Sequence, residues 1–223
     1  MERIISFIKG SESEKVSNGL LATSFLSVFF VFWLFSRFLK YNETRPGIAL
    51  FDPVLSALGP HDHNLSIFLL TYGLVLFGLY WALQNRLGML TTNLSICFLI
   101  AFRAFTLFSF PLEPPMGILP LHDLFLKNTF YCQEVLLKDL FFSGHTASVF
   151  LLYFLIPQKW VKRVLLAGGL TLGFLLMHQH VHYTIDIVAA PFFSWIAYQG
   201  ACFARKYILG SELQLESVEM AEK

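Results

Sequence analysis

The sequence predicts an all-α, polytopic membrane protein built as a bundle of six transmembrane helices. Of its 223 residues, 56% are hydrophobic and 14% are charged, whereas soluble domains carry about 25% charged residues. Phenylalanine occurs 25 times and mean hydropathy is +0.61, more apolar surface than a soluble domain of this size can bury. The apolar residues fall into six runs, each near the roughly 20 residues that a bilayer-crossing helix needs. Net charge is +1, which gives no electrostatic basis for a nucleic-acid partner.

The first run extends from Leu20 to Leu39 and ends among Arg37 and Lys40. It follows a polar stretch containing Lys9, Ser11, Glu12 and Lys15. It is too long for a signal peptide and has no small-residue cleavage site, so it reads as an anchor. The second runs from Leu65 to Leu83, closed by Arg86; the third from Asn93 to Phe110, closed by Pro111. The fourth, Ser143 to Ile156, stops at Pro157 and is short, so it is expected to extend backward through Leu140. The fifth covers Val161 to Met177 and the sixth Ile185 to Phe203, closed by Arg205 and Lys206.

The organisation that follows is a polar segment at residues 1–19, a membrane domain at 20–208, and an acidic tail at 209–223 expected to be disordered. Two connections are more than linkers. Thr44 to His63 mixes Pro46, Asp52, Pro53, Pro60 and Asp62 with apolar residues, and reads as re-entrant or interfacial. Pro111 to Leu140 holds four prolines followed by Glu134 and Asp139, and long loops beside a membrane tend to carry function. The cysteines, Cys97, Cys132 and Cys202, form no zinc spacing. Basic residues at Arg86, Lys159, Lys162, Arg163, Arg205 and Lys206 place both termini in the cytoplasm by the positive-inside rule. Crossing counts then place the 111–139 loop, Ser143, His145 and His182 on the opposite side.

Ionisable residues at membrane depth are costly and point to function. Ser143-Gly144-His145-Thr146 opens the fourth helix, where unpaired N–H groups favour phosphate. Gly144 permits close approach to the backbone, and His145 can move a proton near neutral pH. The same four residues also fit an ordinary serine cap with a bystander histidine. In His182-Tyr183-Thr184-Ile185-Asp186, His and Asp four apart share a helical face. The carboxylate can take one ring N–H and leave the other nitrogen as nucleophile or base. The alternative is a helix start with Asp186 in its first turn.

Taken together, the two segments resemble the type 2 phosphatidic acid phosphatase superfamily, and within it the sphingomyelin synthase branch. The resemblance lies in Asp139-Leu-Phe-Phe-Ser-Gly-His-Thr146 and His180-Val-His-Tyr-Thr-Ile-Asp186. Within the motif-bearing residues 134–199 it covers Leu136 to Gln199 well, and it covers Arg103 to Pro111 loosely. It implies a six-helix membrane enzyme that needs no cofactor and no metal. His145, His182 and Asp186 would be catalytic. Ser143, Gly144 and Arg103 would hold phosphate, with Asp139, Glu134, His180 and Tyr183 in support around them. Partners would be a phospholipid donor and an acceptor, either a lipid alcohol or water. Transfer of a phospho-head-group is one reading, and a lipid phosphatase or phospholipase C-type hydrolase is the alternative. A non-enzymatic lipid-binding membrane protein is the remote one.

The sequence departs from ordinary lipid phosphatases at Leu176, where they place an Arg, and it lacks their Lys-x6-Arg-Pro motif. It departs from the synthase branch at Leu137-Lys138, where Cys-Gly is usual. His178 and His180 make a His-x-His-x-His run with His182, but alternate residues diverge on a helix and no cysteine supports a zinc geometry. His178 reads as an interfacial histidine. Asp52 and Asp62 read as helix caps beside prolines.

Overall fold

In a computed structural model, residues 16–121 and 136–221 are described, with side chains through residue 210. Glu134, Cys132 and the first fifteen residues lie outside them. The described residues are helical and contain no strand. The helices are α1 (Asn18–Glu43), α2 (Pro53–Ala57), α3 (Asn64–Ala82), α4 (Arg86–Ser109), α5 (Gly144–Leu155), α6 (Lys159–His178) and α7 (Thr184–Ala221). Five are long and apolar enough to cross a membrane: α1, α3, α4, α6 and the Thr184–Gly210 part of α7. Their exposed faces carry Phe29, Phe30, Leu69, Leu76 and Phe203, the residue types that lipid solvates.

The shorter apolar helix, α5, is the hub. Its 12 residues rise only about 18 Å, short of the roughly 30 Å hydrocarbon layer. It packs against α3, α4, α6 and α7, and Ala147 and Val149 are fully buried. Small residues let the backbones close in. A Cβ on Gly78 of α3 would meet Leu152 Cδ1 at 2.8 Å, and one on Gly173 of α6 would meet Ile187 Cγ2 at 2.6 Å. The outer helix α1 packs on α4, while α3 packs on α5 and α6.

Three boundaries differ from the sequence reading, each for a local reason. First, α5 does not extend back through Leu140. The Ser143 hydroxyl caps it by accepting from Thr146 N–H at 3.4 Å, so the helix begins at Gly144. Second, α4 starts at Arg86 because Asn85 caps it, its Oδ1 accepting from Gly88 N–H at 2.8 Å. Two of the polar residues after that cap bond inside the bundle: Thr91 Oγ1 donates to Leu87 O at 2.6 Å and Asn93 Nδ2 to Ser24 Oγ at 2.9 Å. Third, helix α7 runs on to Ala221, through the tail expected to be disordered; its Glu, Leu, Gln, Met and Ala residues are good helix formers.

The connections 44–63 and 111–121 lie together over one end of the bundle. They join by a parallel bridge between Ile48 and Leu112, with Ile48 N–H donating to Pro111 O at 3.0 Å and Glu113 N–H to Ile48 O at 3.1 Å. A short helix, α2, starts in the first of them on the Asp52 cap, with Pro53 at its first position, where a missing N–H costs nothing.

Candidate active site

The two motifs meet at this capped end. Ser143 N–H donates to the Asp186 carbonyl at 3.2 Å, so the start of α5 rests on the first turn of α7. Phe142 stacks on Phe193 of α7, ring centroids 4.5 Å apart and nearly parallel. From the α4 side, Thr106 Oγ1 donates to Phe141 O at 2.9 Å. Lower down, Ser194 Oγ donates to Ala147 O at 2.9 Å. The entry to α5 is thereby fixed by α4 and α7 together.

His182 and Asp186 form the pair expected from their spacing. His182 Nδ1 lies 3.2 Å from Asp186 Oδ2, which also accepts from Tyr183 N–H at 3.1 Å. Both are buried, His182 3% exposed and Asp186 fully enclosed. An ionised carboxylate only accepts, so beside it a neutral His182 would carry its proton on Nδ1 and keep the lone pair on Nε2. That is the tautomer a nitrogen nucleophile needs.

At the mouth of α5, Arg103 lies over Gly144. A Cβ on Gly144 would overlap Arg103 Nη1 and stand 2.6 Å from its Cζ. The guanidinium pairs with Asp139 and faces the Phe35 ring, Cζ 5.3 Å from the centroid. Arg103, Asp139, Gly144 and His145 line one cavity. A guanidinium paired with a carboxylate therefore sits against a helix start, and both are groups of a kind that can bind phosphate.

The segment carrying Asp139 is anchored from above. Glu43 accepts from Leu137 N–H and Lys138 N–H at 3.0–3.2 Å. Lys138 Nζ donates to Glu113 Oε1 and to Arg45 O, each at 2.8 Å. The Lys138 ammonium, with Gly47 N–H, holds the Glu113 carboxyl below the usual carboxylate range. Leu137-Lys138 thus supplies a structural anchor in place of Cys-Gly.

The remaining histidines serve the cap. His180 has positive φ, 57°, and its ring nitrogens reach Met116 O at 2.9 Å and Leu58 O at 2.8 Å. His178 Nδ1 lies 2.9 Å from His63 Nε2. Among the described residues no group of three or more His, Cys, Asp or Glu side chains is arranged to hold a metal. The Tyr183 hydroxyl donates to Glu113 O at 3.0 Å and accepts from Leu50 N–H at 3.2 Å. Leu176 is fully buried in the apolar cluster with Ile67, Val149 and Leu172.

Two residues do more than the sequence reading gave them. Gln179, fully buried, accepts from His63 N–H at 2.8 Å and donates to Leu119 O at 3.1 Å. Asp52 caps its own helix and also α7, accepting from Thr184 N–H at 2.7 Å and Thr184 Oγ1 at 3.0 Å. Burial pushes its carboxyl up, but the bonds from Thr184, Leu55 and Val54 outweigh burial and hold it below the usual value of 3.8. Its contribution is therefore present above that value and lost as pH falls through the lowered one. Asp52→Ala is expected to lower kcat by about tenfold by loosening the loop that carries His182. Asp52→Asn keeps an acceptor oxygen and recovers most of the loss. Equal kcat for Asp52→Ala and the unsubstituted protein in a lipid turnover assay would remove Asp52 from the positioning set.

The fold and site define a helical membrane protein with a buried His–Asp pair beside a helix start that Arg103 covers. Residues 138–201, which contain both motifs, match the family model described as PAP2 superfamily C-terminal. This match supports the PAP2 superfamily for the stretch that carries the site. No curated protein matches the chain.

Proposed function

We propose that the protein is a lipid phosphotransferase of the sphingomyelin synthase-like kind. It moves a phospho-head-group from a phospholipid to a lipid alcohol through a phospho-histidine. The observation that carries this is the buried His182–Asp186 pair, joined through Ser143 N–H to the helix start that Arg103 covers.

Arg103 and the first N–H groups of α5 hold the phosphate oxygens. His182 Nε2 attacks phosphorus, and the bond from phosphorus to the donor's alcohol oxygen breaks. His145 gives that oxygen a proton, leaving a neutral lipid and phospho-His182. The acceptor hydroxyl then gives its proton to His145. Its oxygen attacks phosphorus, the P–N bond breaks, and His182 returns to its starting form beside Asp186. Asp186 stabilises the charge on the imidazole through both halves.

Transfer rather than hydrolysis is supported by the apolar walls of the cavity that meets Arg103 and His145, since water must be kept from the phosphoenzyme. It is further supported by Leu176, which puts a hydrocarbon side chain where phosphatases have a phosphate-binding Arg. The test uses purified protein in vesicles of defined phospholipid, with and without ceramide or diacylglycerol. A new phospholipid that forms only with acceptor is the expected result. Free phosphate or phospho-head-group released equally with and without every acceptor, and no new phospholipid, would make the protein a hydrolase.

A further inference from the structure

From the site, the cavity continues into the membrane domain as a chamber of about 370 Å³. Its charged groups are unevenly placed. Every charged residue that lines it, together with His145, lies at the upper end with Gly144. Below them the walls are mostly apolar, with Phe32 on α1, Val75 and Leu79 on α3, and Ile96 on α4, broken by the Thr71 and Thr92 side chains. The Ser148 and Ser36 hydroxyls that also line it donate to their own helices, at Gly144 O and Trp33 O. The side walls are α1 and α3, which pack on α4 and on α5 with α6 respectively, not closely on each other. The space between them is therefore a cleft backed by α4 and α5.

Depth gives this cleft a purpose. Arg103 precedes the last residue of α4, Ser109, by six positions, or about 9 Å of helical rise. A lipid whose phosphate reaches Arg103 is drawn that far below its usual level. Its hydrocarbon is pushed toward or past the midplane, which lies roughly 15 Å in. From Arg103 down to Thr92, the lowest α4 residue on the chamber wall, is eleven positions, or about 16 Å. That equals roughly the thickness of one leaflet's hydrocarbon.

We infer that the α1–α3 cleft takes one hydrocarbon chain of the lipid substrate inside the protein, and that Thr92 and Leu79 at its far end set the chain length accepted. This deepens the reading of the site as a lipid phosphotransferase and rests on it for the head-group. The chain extends along α4, its terminal carbons reach Thr92, and a longer chain has to fold back or protrude between α1 and α3. Chain length is then read inside the protein, whereas a chain left in the bilayer gives no such dependence.

Two measurements on the full chain in vesicles test this. Phosphatidylcholine and phosphatidic acid carrying a diazirine on the terminal carbon of one palmitoyl chain should, on illumination, label Thr92 or Leu79. Labelling confined to lipid-facing residues such as Phe29 and Leu76 would overturn the inference, whether or not the protein turns the lipid over. Filling the far end with Thr92→Phe should cut the ratio of kcat/KM for palmitoyl over hexanoyl donors about tenfold, the worth of roughly two buried methylenes. The lipid-facing Leu76→Phe should leave that ratio unchanged. An unaltered ratio in Thr92→Phe would overturn the chamber's role. If no lipid phosphate is turned over at all, the reaction is misassigned, and the labelling pattern alone still decides the chamber.

Discussion

His182→Ala is expected to reduce lipid turnover by about 10⁴-fold or more, the scale on which removal of a catalytic nucleophile or base acts. The ring is 3% exposed, so no solvent nucleophile replaces it without a cavity first filling with water. Asp186→Asn is expected to be milder, roughly 10²–10⁴-fold. It leaves the imidazole in place but removes the acceptor that fixes Nδ1–H, so part of the population carries the proton on the wrong nitrogen. The loss should appear in kcat with KM little changed, because neither group is assigned to ground-state binding. Asp186 Oδ2 also accepts from Tyr183 N–H, so thermal stability must be measured alongside. A stable, folded His182→Ala protein with near-normal turnover would remove His182 from the chemistry.

The second large effect is expected at a residue with no reactive side chain. Gly144→Ala places a methyl group where the Arg103 guanidinium lies. The obstructed atoms are the far end of a flexible side chain, and Ala is a good helix former. The fold should survive, and the thermal midpoint in detergent should move little. Arg103 has to leave the mouth of α5, which would strip the proposed phosphate site of its cation. Loss of one such preorganised donor costs about 10²–10³-fold in rate. The sharper test is the double variant. If Gly144→Ala acts by expelling Arg103, then adding Arg103→Ala costs little more, whereas additive losses would mean the two act separately. Arg103→Lys should recover only part of the activity, since a point charge replaces a planar fork.

What was legible in the sequence was local. The six apolar runs, the i,i+4 relation of His182 and Asp186, and the Ser143 cap are properties of neighbouring residues, and the structure has each of them. Arg103 could be singled out as a charge in an apolar helix, but its seat over Gly144 joins residues 41 positions apart and left no local trace. Asp52 looked like a cap, and it is one. Its second helix, α7, lies 132 residues away, and only the Asp-Pro pair hinted that this loop was built rather than loose. The start of α4 was missed because Thr91, Thr92 and Asn93 are polar. They are buried because neighbouring helices satisfy or enclose them, a tertiary fact. The chamber likewise arises from which helices do not pack closely, and single-chain periodicity carries no record of that.

The central claim is that phosphorus is bonded to His182 midway through the reaction. The direct measurement is to mix the protein with a donor labelled at phosphorus, quench within one turnover in alkali, and map the label on peptides. The expected result is acid-labile, alkali-stable label on the peptide containing His182, which disappears when a lipid alcohol acceptor is added before the quench and is absent from His182→Ala. Turnover that proceeds with no label on His182 at any quench time, or with label on His145 instead, would contradict it.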